Sequence, residues 1–461
     1  MTLPGRSAGS FRDPCGFVFE RDGIVYRQIN TSGDANYDRL IASGLYDALT
    51  REHLLIPHVE VDRRYAAQPE IAYRIIRPVQ LAFVSYPYEW CFSQLRDAAL
   101  ATLRIQKIAM AHGMSLRDAS AYNIQFHAGE PTLIDTLSFE AIREGEPWVA
   151  YRQFCQHFLA PLAIMSYRDH RLGQLLRIHV DGVPLPLARE LLPLRTWLRP
   201  SLGLHLRAHA RSVERRSTPS KAGGRGKTFS RRAFEGIVES LFSAVRGLRT
   251  PSGPSEWVGY YDEAASYSAE AAGAKAAAVG RLLGEYAKGN VWDLGANTGQ
   301  FSRMAAAYAG QIVSFDVDPF CVEASYEEMK RSKEENLLPL VLDLTNPSPP
   351  LGWAGEERLS LAERGPADLI MALALVHHLA IASNVPLADI ARFFATLGDR
   401  LIVEWVPKSD PMVRRLLAWR DDVFHSYTRA GFEQAFAAFF RTEQVEEIAG
   451  SERAIFAMTR L

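Results

Sequence analysis

Between residues 290 and 405 five short apolar runs recur, NVWDLG, QIVSFDV, LPLVLDL, ADLIMALAL and DRLIVEW, with helix-length segments between them. Strands alternating with helices in this way build a parallel sheet with crossover helices. The chain closes on TEQVEEIAG and RAIFAMTRL, two strand-like runs around a Gly-Ser turn, which read as a hairpin. The pattern predicts an α/β, doubly wound Rossmann-like sheet that ends in an antiparallel hairpin.

The sharpest motif lies at the end of the first run, in VWDLGANTGQFS (residues 291–302), with Asp293, Gly295, Asn297 and Gly299 in sequence. Glycine permits the dihedrals of a tight strand-to-helix turn and lets the backbone itself approach a ligand. Such turns also use glycine for purely structural reasons. Two acids add to the motif. Asp316, in SFDVDP, ends the second run, where a carboxylate can accept from both hydroxyls of a ribose. Asp343, in VLDLT, ends the third, within reach of an exocyclic amine of adenine. Each acid alone reads equally as a cap or turn residue. Three in register at successive strand ends are harder to assign to capping.

DLGANTGQFS, the acid of FDVD, the LDL of the third run and ALALVHHL after the fourth together resemble a class I S-adenosylmethionine-dependent methyltransferase. The likeness covers most of residues 255–461. It implies S-adenosylmethionine as cofactor, with Asp293 and Gly295 by its methionine part, Asn297 and Gly299 in the same loop, Asp316 at the ribose and Asp343 at the adenine. A nicotinamide-dependent dehydrogenase would spell Gly-x-Gly-x-x-Gly, whereas this chain has Gly-x-x-x-Gly. Upstream, SEWVGYYDEAASYSAEAAGAKAAAV (255–279) suggests a helix over the cofactor, from which Tyr267 and Lys275 could touch it. Core packing and surface charge are the competing readings of those two residues.

Transfer from a sulfonium needs mainly alignment of nucleophile, methyl and sulfur, and such orientation can supply roughly 7–11 kcal/mol. A base helps when the acceptor is a hydroxyl. His377 and His378 follow the fourth strand, at the mouth where an acceptor would sit, and histidine titrates near neutrality. A structural pair, one histidine capping the strand end and one packing beneath it, is the alternative. Glu404, after the fifth strand, could orient an acceptor or pair with Lys408.

Residues 1–205 read differently. A β-like opening (CGFVFERDGIVYRQIN) and more extended segments precede a long helix, FSQLRDAALATLRIQKIAMAHG, and then LRDASAYNIQF (116–126). Asp118 and Asn123 stand in Asp-x-x-x-x-Asn spacing, and Asp135 lies twelve residues beyond Asn123. This is similar to the catalytic and metal-binding loops of protein and small-molecule kinases. The likeness implies an α+β kinase-like domain with Asp118 as base and Asn123 and Asp135 holding magnesium for Mg-ATP. Three departures accompany it: Leu116 where histidine is usual, only Gly16 in place of a glycine-rich flap, and Arg27 at the position of the phosphate-binding lysine.

At 207–232 nine basic residues stand against one glutamate in a Gly/Ser-rich stretch, the composition of a solvated linker or, alternatively, of a basic arm. Residues 233–249 then read as a short amphipathic helix. The expected organisation is a kinase-like domain at 1–205, possibly degenerate, a basic linker and helix at 206–254, and a methyltransferase domain at 255–461. The formal net charge of -1 and the lack of a basic-aromatic surface pattern outside the linker argue against nucleic acid. Four widely spaced cysteines, no signal-like N-terminus and no run of ~18 apolar residues point to a cytoplasmic protein without a membrane span. The layout resembles nodulation-associated bacterial methyltransferases, which implies modification of a glycan or signal molecule; the expected acceptor is a small molecule or saccharide, methylated on a hydroxyl. Two further functions stay open: a bifunctional kinase-methyltransferase, and a non-catalytic scaffold that binds S-adenosylmethionine.

Overall fold

A computed structural model describes residues 6–208, 230–250, 268–418 and 421–461. The chain divides into two compact units, the first comprising 1–252 and 350–358, the second 253–349 and 359–461. Most of the basic 207–232 run lies outside the described residues.

The first unit opens on strands β1 (Gly16–Arg21) and β2 (Ile24–Asn30), joined by Asp22 and Gly23, both at positive φ. Two such residues build the tight turn whose twist matches antiparallel strands. With β3 (His58–Val61) and β4 (Ala72–Pro78) they form an antiparallel sheet in the order β1-β2-β4-β3. Alternation sends Phe17, Phe19, Tyr26 and Ile75 into one buried cluster. The helix Phe92–Ala111 is buried along most of its length. Two small antiparallel pairs follow it, β5 (Met114–Leu116) with β8 (Phe139–Ala141) and β6 (Ile124–His127) with β7 (Glu130–Leu133). The helix expected near 233–249 spans Arg231–Arg246 and is capped by Ser230, whose Oγ accepts from Ala233 N. It packs on Phe92–Ala111, where Lys107 pairs with Glu239 at 2.9 Å, so it belongs to the first unit.

In the second unit the five apolar runs are strands β9 (Asn290–Leu294), β10 (Gln311–Asp316), β11 (Leu337–Val341), β12 (Leu369–Ala372) and β13 (Arg400–Trp405). The closing hairpin is β14 (Phe440–Glu447) and β15 (Ala454–Arg460). They form one sheet in the order β11-β10-β9-β12-β13-β15-β14, parallel except at β15, which is antiparallel to both its neighbours. All four residues of β12 are buried. A central strand covered on both faces reads as a continuous apolar run for that reason. Strand order reverses between β9 and β12, and a crevice at the carboxyl ends of the strands is where such sheets take ligands. No described helix is long and apolar enough to cross a membrane.

Candidate active site

Beyond β9 the chain turns through Gly295 (φ 75°), Asn297 (φ 51°) and Gly299 (φ 84°) before the helix Gln300–Ala306. Gly295 N and Ala296 N both donate to Phe315 O at 2.9 Å, which ties the turn to β10. A Cβ on Gly295 would stand 3.1 Å from Leu375 Cδ1. A Cβ on Gly299 would meet Ser325 Oγ at 2.7 Å and an Arg303 nitrogen at 2.9 Å. The two glycines therefore do different work. Gly295 lines a cavity of about 350 Å³ together with Asn297, Asp316, Asp343 and His378, whereas Gly299 lets the helix start against its neighbours and lies outside that lining.

Asp316, at the end of β10, is half-buried and lines the cavity. Its Oδ2 accepts from Asn297 N at 2.7 Å and its Oδ1 from Asp318 N at 2.9 Å. Burial pushes its carboxyl up to about 6, and these backbone donors only partly oppose that rise. Leu342 N donates to Asp316 O at 2.8 Å, which brings the end of β11 alongside. Asp343 follows, exposed, its Oδ1 accepting from Thr345 N at 2.8 Å and Thr345 Oγ at 2.6 Å. These features fit an adenosyl ligand. The crevice has a half-buried acid and a more exposed one at adjacent strand ends, and glycine at the head of the turn between β9 and the pocket.

Asp293 was expected beside the ligand and is not in the cavity lining. It is buried behind the turn, where its Oδ2 accepts from Ser302 Oγ at 2.6 Å. Burial pushes its carboxyl up to about 7. The nine-residue spacing from Asp293 to Ser302 spans one strand end, one turn and half a helical turn, enough to fold the acid back under the helix. Tyr267 lies outside the described residues.

The two histidines separate. His378 lines the cavity, and burial, with the charge of Arg453, pushes its imidazole down to about 4. His377 is fully buried outside the lining, its ring 4.1 Å from that of His378, and neither of its nitrogens has a hydrogen-bond partner. Burial drives its pKa well below the usual histidine range.

Glu404 is also absent from the lining. It is wholly buried, 2.7 Å from Lys275 Nζ and 3.2 Å from an Arg453 nitrogen, and Arg453 Nε reaches Asp410 at 2.7 Å. The expected partner, Lys408, binds Asp422 at 2.7 Å instead. Pairing of β13 with β15 sets Trp405 opposite Ala454, so Arg453 arrives beside Glu404 by register. Lys275, singled out as a possible ligand contact, is held by this network and stands 4.9 Å from the centre of the Phe301 ring. The network as a whole is not legible in the sequence. Its one visible signal was a glutamate inside the apolar run LIVEW.

In the first unit Asp118 lies close to both Asn123 and Asp135, the three residues that the kinase likeness grouped. Asp118 is pushed above the usual carboxylate range by burial, then by the charge of Asp135. The set does not fit magnesium. Asp135 Oδ1 takes Arg27 at 2.7 Å and Leu137 N at 2.9 Å, and its Oδ2 accepts from Ser138 Oγ at 2.8 Å. Asn123 donates to the same Ser138 Oγ at 3.4 Å. Among the described residues no cluster of three or more acidic, histidine or cysteine side chains could hold a metal ion.

No protein-family model matches the chain. Among curated proteins it is similar to nodulation protein NoeA of Rhizobium meliloti (strain 1021), 35% identical over 464 residues, which cover 99% of this chain and 96% of that protein. Among solved structures it is similar to the N-methyltransferase NodS from Bradyrhizobium japonicum WM9 (12% identity, 42% of this chain and 98% of that one, TM-score 0.32). It is also similar to magnesium protoporphyrin IX methyltransferase from Synechocystis PCC 6803, solved with bound SAH (13% identity, 46% and 90%, TM-score 0.30).

Proposed function

The chain belongs to the family of nodulation protein NoeA, and we propose that its second unit is a methyltransferase that moves a methyl group from S-adenosylmethionine to a hydroxyl of a small-molecule or saccharide acceptor. The observation that carries this reading is the convergence of Gly295, Asn297, Asp316, Asp343 and His378 on one cavity at the point where the strand order reverses.

The cofactor supplies a methyl group bonded to a cationic sulfur and open to nucleophilic attack. Asp316 accepts from the ribose hydroxyls, its carboxylate already fixed by two backbone N–H groups. Asp343 accepts from the adenine amine, with Thr345 setting its orientation. Gly295 lets the backbone approach, and Leu375 and Leu379 supply the apolar wall that excludes water. His378 is neutral at pH 7, a weaker base than an ordinary imidazole because burial lowers it to about 4. A ring nitrogen would take the hydroxyl proton while the acceptor oxygen takes the methyl and the sulfur leaves as a neutral thioether.

Calorimetric titration of the purified chain with S-adenosylmethionine tests the first part, and transfer of a radiolabelled methyl group to hydroxylated oligosaccharides tests the second. Binding that Asp316→Asn weakens by about 10- to 100-fold, the loss of charge-assisted hydrogen bonds, is the expected result. Unchanged affinity in that variant would remove the ribose assignment.

A further inference from the structure

The first unit holds a cluster that the methyl-transfer reading does not use, and its least expected member is Arg27. Arg27 lies on β2, where the register sets it opposite Val18 of β1 and Ile76 of β4. From there its guanidinium reaches Asp135 at 2.7 Å, with both side chains nearly buried, 12% and 14% exposed. The remaining capacity of Asp135 goes to Leu137 N and Ser138 Oγ. Asp118 is tied to Ser120 N at 2.9 Å, and Asn123 turns its amide to Ser138. The groups that would grip a divalent ion therefore already have donors.

We propose that Arg27 is a built-in cation: its guanidinium permanently takes the place of a divalent metal at Asp135, so that the first unit is a metal-independent module and performs no phosphoryl transfer. A metal ion would have to expel Arg27 from the carboxylate and leave a buried guanidinium without its counter-charge. A lysine at this position could swing aside on a flexible stem. The planar fork of an arginine is less readily displaced.

The full chain, titrated with manganese as a paramagnetic probe and with magnesium-ATP by calorimetry, gives the first test. The wild-type protein should show no saturable binding of either at millimolar concentration, and its melting temperature should not respond to magnesium. Saturable binding that disappears in Asp135→Asn would overturn the proposal. Arg27→Met gives the converse test, since it removes the charge while keeping side-chain bulk. This variant should melt lower than wild type, bind manganese, and regain part of the lost melting temperature in magnesium. Asp135→Asn added to it should abolish that recovery. A folded Arg27→Met variant indifferent to metal would also refute the built-in cation. Should Arg27→Met not fold, the wild-type titrations decide alone.

Discussion

At the scale of single residues, the second unit spends stability to hold one carboxyl buried, Asp293, and a second half-buried, Asp316. Asp293 and Asp316 ionise at about 7 and about 6 when folded, against 3.8 as the ordinary value. Between those limits the native state holds more protons than the unfolded one, so stability falls as pH rises from about 4 to 7. Urea denaturation across that range should show the decline in the wild type and a flatter profile in Asp293→Asn. The opposite holds for ligand affinity: only ionised Asp316 accepts from two hydroxyls, so S-adenosylmethionine should bind more weakly as pH drops below about 6. His378→Asn should lower kcat by about 10²–10⁴-fold with KM little changed, the loss expected for a proton-transfer group. The pH profile of the wild-type kcat should lack a histidine inflection near 6.5, because burial keeps this imidazole neutral down to about 4.

Elements are fixed by features that single residues only report. The helix Gln300–Ala306 begins at Gly299, whose φ of 84° and close approach to Ser325 both exclude a side chain. Gly299→Ala should destabilise the second unit by about 1–2 kcal/mol from the backbone strain alone, measured by chemical denaturation. The β13–β15 pairing carries the buried chain Lys275–Glu404–Arg453–Asp410. Breaking one link leaves an uncompensated buried charge, so Glu404→Gln should cost about 3–5 kcal/mol. Replacing Lys275, Glu404, Arg453 and Asp410 together by apolar residues of similar volume should recover much of that loss. This contrast separates a structural network from a group that touches the acceptor.

For the whole molecule, the sequence order of the units is not their spatial partition. Residues 350–358, between β11 and β12 in sequence, belong to the first unit. There Glu357 takes a bidentate pair from Arg12 at 2.7 and 3.1 Å, and the Arg358 guanidinium lies 4.2 Å from the centre of the Tyr122 ring. A fragment ending at residue 252 loses both contacts. It should melt below the corresponding transition of the full chain, and Arg12→Ala in the full chain should reproduce part of that drop, about 1 kcal/mol.

The strands of the second unit and the turn after β9 were legible in the sequence because both obey local rules. Apolar runs of strand length, glycines where the backbone must turn, and acids at strand ends are each written within a few residues of where they act. The grouping of Asp118, Asn123 and Asp135 comes from the likeness to kinase loops and not from a local rule; the β6–β7 hairpin lies between Asn123 and Asp135. Tertiary structure alone decided which of these residues face the cavity. Asp293 and Asp316 look alike in sequence, yet one accepts from Ser302 behind the turn and the other lines the pocket. His377 and His378 are neighbours in the chain, and only the direction of one helical turn separates them. Arg453 beside Glu404 and Arg27 on Asp135 join residues 49 and 108 positions apart, through strand register that no local pattern encodes. Local sequence sets backbone conformation, whereas burial and charge pairing depend on what the fold brings alongside.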